Sequence, residues 1–238
     1  MAPKDSGFSK QAIARYYNDL HFRMNIYNKA KKDMDVHLAS EFNVFDYINP
    51  DENKLSDIMA DLLNPQGKHG QTTTFLEAFV ALLKMDDFPY ELATCKIARE
   101  ISTAYIVNNQ RRIDITLNFA NAFKIAIENK PWDSEQENQL KDYQKHLERK
   151  FGRNYCIVYI SGDGSPPESL EKTLKEELKR EGRLVVLNYQ DDMKCWLQTC
   201  YKECKAEKIR AFIKDFIQYI DSNFENLYEG EEEAGDGE

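Results

Sequence analysis

The chain has 238 residues, of which 42% are hydrophobic and 12% aromatic, so it is long and apolar enough to bury a sizeable core. It contains no apolar run of the roughly 18–20 residues that a membrane span needs, and residues 1–10 lack the apolar centre of a secretory signal. We therefore expect a cytoplasmic protein without a membrane partner, and the formal net charge of −9 argues at first sight against binding to nucleic acid.

Much of the negative charge lies at the end of the chain. Residues 225–238 hold seven acidic residues and no basic one, and subtracting those seven from the total of 41 leaves 34 acidic residues against 32 basic ones. We expect this segment to be a disordered, solvated acidic tail, with mimicry of nucleic acid or recruitment of a partner as the alternative. The rest of the chain is nearly neutral, so the net charge does not exclude a nucleic-acid substrate.

The first third of the chain has helical patterns. Residues 9–38 are typical of a long amphipathic helix, in which apolar residues recur at spacings of three and four: Ile13, Tyr16, Tyr17, Leu20, Met24 and Tyr27. We expect this stripe to pack on the core, with self-association or a partner as the alternative. After a short apolar stretch at 42–48, a helix is expected to begin at Asp51, which can cap it, and to end before Pro65. Another helix is predicted over 73–84.

From residue 96 onward, predicted strands alternate with predicted helices. We expect strands over 96–107, 111–119, 123–129, 155–161 and 184–189. We expect helices over 134–149, 168–181, 192–204 and 206–223. This order predicts an α/β fold in which helices flank a central mixed β-sheet. The expected organisation is a helical extension over 1–40, one domain over 41–224 and the acidic tail over 225–238.

Charged residues interrupt two neighbouring apolar strands. Asp114 lies within the predicted strand 111–119, and Glu128 and Lys130 lie at the end of the next strand. Residues two apart on a strand share a face, so Glu128 and Lys130 project together, and Asp114 reaches the same face if the strands pair. A surface ion pair is the alternative for these residues taken singly. Together they predict two carboxylates and an ammonium at one edge of the sheet.

Carboxylates in this arrangement suit Mg²⁺, which takes oxygen ligands and retains several waters. The backbone carbonyl of Asn129 could add a further ligand to those of Asp114 and Glu128. A cation held there would polarise a phosphoryl oxygen and lower the pKa of its water. Lys130 could orient that water or offset charge that develops on the phosphate.

Asp114 followed after thirteen residues by Glu128-Asn129-Lys130 resembles the motif of the PD-(D/E)XK nuclease superfamily. Three neighbouring features strengthen the resemblance: the segment Arg111-Arg112-Ile-Asp-Ile, the QxxxY motif formed by Gln139 and Tyr143, and the helix from Glu52 to Leu63 followed by His69-Gly70. These features resemble the RecB-like branch, and the resemblance covers roughly residues 41–190. Ile113 stands where many members have proline, a departure that the superfamily tolerates.

The resemblance implies a restriction-endonuclease-like core and a role for each motif residue. Asp114 and Glu128 would bind the metal, Lys130 would be the catalytic lysine, and Glu52 would complete the metal site. Asp51 and Asp57 are alternatives to Glu52, which could also be an acid favoured at a helix start.

The resemblance also implies that Gln139 and Tyr143, which lie four apart on one helix face, position the phosphate, Lys130 or the metal ligands. The alternative is a solvent-facing glutamine over a packed tyrosine.

Several basic residues are candidates for contact with nucleic acid. Arg111 and Arg112 could bind the phosphate backbone, and His69 could touch a phosphate or serve only in its turn. Lys141 and Lys145 begin a basic stretch beside the QxxxY helix that suits a phosphate track, although solvated lysines are the commoner situation. That stretch continues with Arg149, Lys150 and Arg153.

We therefore predict a nuclease that hydrolyses DNA with an Mg²⁺-activated water. Mn²⁺ is an alternative cation and RNA an alternative substrate. The other hypothesis is a catalytically silent module of the same fold that binds nucleic acid or protein partners.

Overall fold

The computed structural model describes residues 10–85, 88–103, 111–132 and 136–224. Parts of the predicted elements and tail lie outside these described residues: residues 9, 104–107, 134–135 and 225–238. The chain divides into two compact units between Phe42 and Asn43. The predicted domain limits at residues 40 and 224 remain predictions.

The first unit contains one long helix, α1, which spans Lys10–Leu38 as the apolar spacing predicts. None of the residues in this helix is buried. Six residues of the predicted stripe are exposed to between 40% and 67%: Ile13, Tyr16, Tyr17, Leu20, Met24 and Tyr27. The role of this stripe, in packing or in association with a partner, remains a prediction.

The second unit is built of seven helices and five strands within the described residues. The helices are α2 Phe45–Ile48, α3 Glu52–Leu63, α4 Thr74–Leu82, α5 Gln139–Phe151, α6 Lys172–Arg180, α7 Lys194–Glu203 and α8 Glu207–Phe224. The strands are β1 Lys96–Ser102, β2 Arg112–Phe119, β3 Phe123–Lys130, β4 Tyr155–Ser161 and β5 Leu184–Asn188. Among the described residues, no helix combines the length and apolar character needed to cross a membrane.

The five strands form a single mixed sheet in the order β1-β2-β3-β4-β5. The pairs β1–β2 and β2–β3 are antiparallel, whereas β3–β4 and β4–β5 are parallel. A short turn at residues 120–122 joins β2 to β3, and α5 and α6 make the longer connections that parallel strands require. The predicted α/β class with a mixed sheet is therefore confirmed.

Alternating strand residues give the sheet two apolar faces. One face packs against α3, α4, α7 and α8, and its strand residues include Ile115, Leu117, Ile125, Ile127 and Val158. The other face packs against α5 and α6 through Ala126, Ile157 and Tyr159. Both faces of the central strands are buried, which explains why every residue of β4 is buried.

The boundaries of α3 follow the sequence signals. Oδ1 of Asp51 accepts a hydrogen bond from the backbone N–H of Lys54 at 2.8 Å, which is the predicted N-cap. The helix ends at Leu63, and Asn64 is extended (φ −78°, ψ 111°) because the next residue is Pro65. The cap therefore fixes where the first turn of α3, with Glu52, begins.

Helices α5 and α6 begin later than predicted, at residues 139 and 172 instead of 134 and 168. Asn138 adopts a left-handed conformation with φ 61°, which prevents a continuous helix through it. The segment before α6 instead buries Leu170, and the hydroxyl of Ser169 accepts a hydrogen bond from the first-turn N–H of Leu140 at 2.9 Å. The loop therefore caps α5, which the sequence pattern alone could not show.

We predict that Phe45→Ala lowers the free energy of unfolding by about 3–5 kcal/mol, because it leaves a cavity in the core. Phe45 is 1% exposed, and its ring stacks on those of Phe216 and Tyr219 at centroid distances of 4.9 and 5.3 Å. Urea denaturation measures the loss. Ile48→Ala on the same helix is the control, since Ile48 is 39% exposed. Equal losses in the two variants would contradict the packing of α2 on α8.

Candidate active site

The site lies where the last residues of β3 pass beside Asp114 of β2. The paired residues of β2 and β3 end at Ile115 and Ile127, whereas the pairing of β3 with β4 continues to Lys130. Beyond that point the backbone N–H of Asn129 donates to Oδ2 of Asp114 at 2.9 Å. The carboxylate of Asp114 thus takes the place of the next strand-to-strand hydrogen bond and is held against β3.

Arg99 of β1 connects Asp114 to the start of α3. Its guanidinium donates to the backbone carbonyl of Asp114, to Oδ1 of Asp57 at 2.9 Å and to the carbonyl of Asn53 at 3.1 Å. Five donors in one planar group allow a single side chain to hold β2 and α3 together. Asp57, an alternative to Glu52 as the helical acid of the metal site, is therefore ion-paired with Arg99.

Glu128 is fully buried and is held by α5. The amide Nε2 of Gln139 donates to Oε1 of Glu128 and also to the hydroxyl of Tyr143 at 3.2 Å. The hydroxyl of Tyr143 lies 2.8 Å from Oε2 of Glu128 and also contacts the carbonyl oxygen of Arg112. With one proton it donates to one of these acceptors at a time. The QxxxY residues therefore position the buried carboxylate of Glu128.

Lys130 lies between two carboxylates. Its Nζ is 2.7 Å from Oε1 of Glu52 and 3.3 Å from Oε1 of Glu128, and its side chain is 12% exposed. Burial by itself lowers the pKa of Lys130, but the attraction of Glu128 and Glu52 outweighs burial and raises that pKa above its ordinary value. The ammonium is therefore held in its charged form.

Burial also changes the acidity of the two strand carboxylates. It raises the pKa of Glu128 to about 8, with the nearby charge of Asp114 as the second cause. Burial raises the pKa of Asp114 as well, although the N–H of Asn129 and the charge of Lys130 oppose the rise. One buried and one half-buried carboxylate that repel each other form an acidic site with a need for positive charge.

The side chain of Asn129 supports the site from the opposite face of the sheet. Its Nδ2 donates to Oγ of Ser56 at 3.0 Å, and its Oδ1 accepts from the hydroxyl of Tyr189 at 2.8 Å. Tyr189 begins a π-helical turn, Tyr189–Met193, that leads into α7. Asn129 thus joins the end of β3 to α3 and to this turn, while its backbone faces Asp114.

Aromatic stacking extends this support to the end of α8. The ring of Tyr189 stacks on that of Phe224 with centroids 4.5 Å apart, and Phe224 stacks in turn on Trp132 at 5.6 Å. Trp132 lies two residues after Lys130 in the chain. The last described residue of α8 therefore packs beside the end of β3.

The donors at the site fit a hard divalent cation in their chemistry. Among the described residues, no three His, Cys, Asp or Glu side chains are grouped closely enough to hold a metal ion, and the ammonium of Lys130 occupies the space between Glu52 and Glu128. However, Glu128 is a buried and Asp114 a half-buried carboxylate, and both need positive charge. Together with the backbone carbonyl of Asn129, these groups would offer only oxygen donors, which suit such a cation.

The two arginines before Asp114 lie in different environments. Arg111 donates to Oδ2 of Asp142 at 3.2 Å and to Oε1 of Gln136 at 2.6 Å, so it is held at the start of α5. Arg112 is exposed, and its Nη1 lies 3.4 Å from Oε2 of Glu100. Arg112 is therefore the more accessible of the two predicted phosphate contacts.

His69 lies in the loop that follows α3 and is 4% exposed. Its Nε2 lies 2.8 Å from the carbonyl oxygen of Asn64, and its Nδ1 accepts from the N–H of Gln71 at 3.1 Å. The imidazole also stacks on Phe75 with centroids 5.0 Å apart. Both ring nitrogens are engaged within the protein, which favours the role in the turn over contact with a phosphate.

The predicted lysines of the α5 track are placed differently. Lys141 lies 2.5 Å from Oε1 of Glu171 in an ion pair, whereas Lys145 is exposed on α5. Farther along, Arg153 pairs with Glu181. The track is thus partly neutralised by carboxylates from the segment around α6.

Three supporting residues were missed by reasoning from the sequence: Arg99, Ser56 and Tyr189. Ser56 lies one helical turn after Glu52, so its position on the same face of α3 was a usable signal. Arg99 and Tyr189 are far from the motif in sequence, and no local pattern marked them.

Comparison with protein families agrees with this geometry. A sequence profile of the PD-(D/E)XK nuclease superfamily matches residues 42–218, which is most of the second unit. Comparisons with curated proteins and with solved structures gave no match. The matched region contains β2, β3, α3 and α5, which together form the site. The chain therefore belongs to the PD-(D/E)XK nuclease superfamily.

Proposed function

We propose that the protein hydrolyses phosphodiester bonds of DNA, with Mg²⁺ as its cation. The observation that carries the proposal is the meeting of Asp114, Glu128 and Lys130 at the end of two neighbouring strands, with Glu52 hydrogen-bonded to Lys130 at 2.7 Å. Membership of a nuclease superfamily supports the same class of reaction.

The carboxylates of Asp114 and Glu128 and the carbonyl of Asn129 would hold the cation, and Glu52 would complete the site. Bound there, a divalent cation polarises a phosphoryl oxygen and lowers the pKa of its water. Mg²⁺ prefers such oxygen donors, and Mn²⁺ is the alternative.

Lys130 supplies a fixed positive charge beside the reacting phosphate. Its neighbours Glu52 and Glu128 hold the side chain in place and keep it protonated. A preorganised charge of this kind stabilises the negative charge that develops on the phosphate in the transition state. Lys130 is therefore the proposed catalytic lysine.

Gln139 and Tyr143 are positioning residues in this proposal. They donate hydrogen bonds to Glu128 and fix the orientation of its carboxylate. Partners of this kind tune the affinity of a metal site without touching the metal themselves. The phosphate chemistry is common to DNA and RNA, so the tests compare both substrates.

We predict that Lys130→Met and Asp114→Asn each slow cleavage by about 100-fold or more, because Lys130→Met removes a positive charge that stabilises the transition state and Asp114→Asn removes a charged donor that would hold the cation. The assay uses supercoiled plasmid, linear duplex, single-stranded DNA and RNA, with and without Mg²⁺ or Mn²⁺. Lys208→Met, an exposed change on α8, is the control.

Retained cleavage in both Lys130→Met and Asp114→Asn would overturn the assignment of the site. A wild-type protein that binds DNA but cleaves none of the substrates would instead identify the catalytically silent module.

We also predict that Mg²⁺ raises the midpoint of thermal unfolding of the wild-type protein. A ligand that binds only the folded state at 100 times its Kd stabilises that state by about 2.7 kcal/mol. Asp114→Asn should lose most of this rise, because it removes one charged donor. The measurement does not depend on cleavage, and an undiminished rise in the variant would exclude Asp114 as a ligand.

Tyr143→Phe tests the positioning role, because it removes one hydroxyl and keeps the packed ring. We expect cleavage to fall by about 10- to 100-fold and half-maximal activity to need more Mg²⁺. Tyr155→Phe is the matched control, since Tyr155 is buried against the same face of the sheet and its hydroxyl accepts from Arg183 at 2.6 Å. If the two variants behave alike, the role of Tyr143 is structural only.

A further inference from the structure

A basic pocket of about 350 Å³ lies between α5 and the sheet, away from the candidate active site. We call it the basic pocket and define it by the residues Ile113, Asn118, Lys124, His146, Lys150 and Phe151. Three of these residues carry basic side chains, and no carboxylate lines the pocket within the described residues. The pocket therefore concentrates positive charge beside an apolar wall.

Neither of the two lysines in the basic pocket, Lys124 and Lys150, forms an ion pair in the part of the chain that the structure describes. The ammonium of Lys124 lies 5.9 Å from the centroid of the Phe151 ring. Burial and the charge of Lys150 lower the pKa of Lys124, and burial, Lys150 and Lys124 lower that of His146. An anion in the pocket would relieve this mutual repulsion.

Three other basic residues on and around α5 have acidic partners. Lys141 pairs with Glu171, Arg153 pairs with Glu181, and Arg111 pairs with Asp142. Lys124 and Lys150 differ from these three residues in that neither is neutralised by a neighbouring carboxylate among the described residues.

The basic pocket and the candidate active site lie beside the same helix and on the same face of the sheet. On α5, Gln139, Tyr143, His146 and Lys150 follow one another at spacings of four, three and four, which places them along one stripe of the helix. On β3, Lys124 and Glu128 are an even number of residues apart and therefore share a face. At about 3.3 Å per residue, the two strand positions are roughly 13 Å apart.

This separation suits a nucleic-acid strand. One strand of a duplex advances about 3.4 Å per nucleotide along the helix axis, so roughly 13 Å corresponds to about four nucleotides. The half-buried ring of Phe151 offers an apolar surface for a sugar or a base beside the charged groups.

We propose that the basic pocket binds a backbone phosphate of the nucleic-acid substrate, a few nucleotides from the bond that is cleaved. This inference rests on the proposed function, since it extends the same site. Lys124 and Lys150 supply the charge for the phosphate.

The test is a salt titration of binding, with EDTA present so that cleavage does not interfere. Fluorescence anisotropy of labelled duplex and single-stranded oligonucleotides gives Kd for wild type, Lys124→Met and Lys150→Met. Loss of one phosphate contact lowers the slope of log K against log[salt] by about 0.9 for duplex and 0.7 for single strands. At 0.1 M salt, the Kd for duplex should rise about eightfold in each variant. This factor is the slope change of about 0.9 taken over the one decade of salt between 1 M and 0.1 M.

Lys208→Met is the comparison, because Lys208 is exposed on α8 and lies outside the basic pocket. A small effect in Lys208→Met beside large effects in Lys124→Met and Lys150→Met supports the pocket. Equal effects in all three would show general attraction to the basic groups of the protein surface and overturn the proposal, as would unchanged slopes in the two pocket variants. Because Lys150 is exposed, Lys150→Met keeps the test valid if Lys124→Met does not fold.

Inorganic phosphate provides the second arm. If phosphate raises the thermal midpoint of wild type but not of Lys150→Met, while binding of oligonucleotides is the same in both, the pocket is a site for free anions and the proposal is wrong. If binding of DNA depends on the pocket but no Mg²⁺-dependent cleavage occurs, the proposed nuclease function fails and the pocket assignment stands.

Discussion

The burial of the Glu128 carboxylate is the constraint on which the site depends. A charged group removed from water costs several kcal/mol unless hydrogen bonds and opposite charge compensate it. Compensation requires α5 to begin beside the end of β3, because Gln139 and Tyr143 must both reach Glu128. It also requires the ammonium of Lys130 to lie between the carboxylates of Glu128 and Glu52. Much of the local architecture serves to hold one acidic side chain in an apolar setting.

The residues of the candidate site were accessible from the sequence because their signals are local. Alternation along β2 marked Asp114 as a polar residue in an apolar strand, and the strands predicted at 111–119 and 123–129 do pair as neighbours. The cap Asp51 and the stop at Pro65 fixed the limits of α3, so Glu52 could be placed at the start of a helix. The meeting of these elements required the resemblance to a known family, since no local pattern brings α3 to the sheet.

The supporting residues were not accessible in the same way. Arg99 meets Asp114 only because β1 pairs with β2, and Tyr189 meets Asn129 across two further strands. The carboxylate that pairs with Lys141 comes from the loop before α6, so the fold partly neutralises a stretch that is basic in the sequence. In the sequence, Lys124 is an ordinary residue near the start of a strand, and only the fold places it between the sheet and α5. Each of these cases depends on long-range packing, which spacing rules do not encode.

The stack of Phe224, Tyr189 and Trp132 has a practical consequence for anyone who modifies the protein. The end of α8 stacks on Tyr189, which hydrogen-bonds to Asn129 on the strand that carries Glu128. Phe224 nevertheless lies 96 positions after Glu128 in the sequence. A truncation that removes Phe224 would take away an aromatic support of the site itself. Affinity tags and fusion partners therefore belong beyond Phe224, where the end of α8 is left intact.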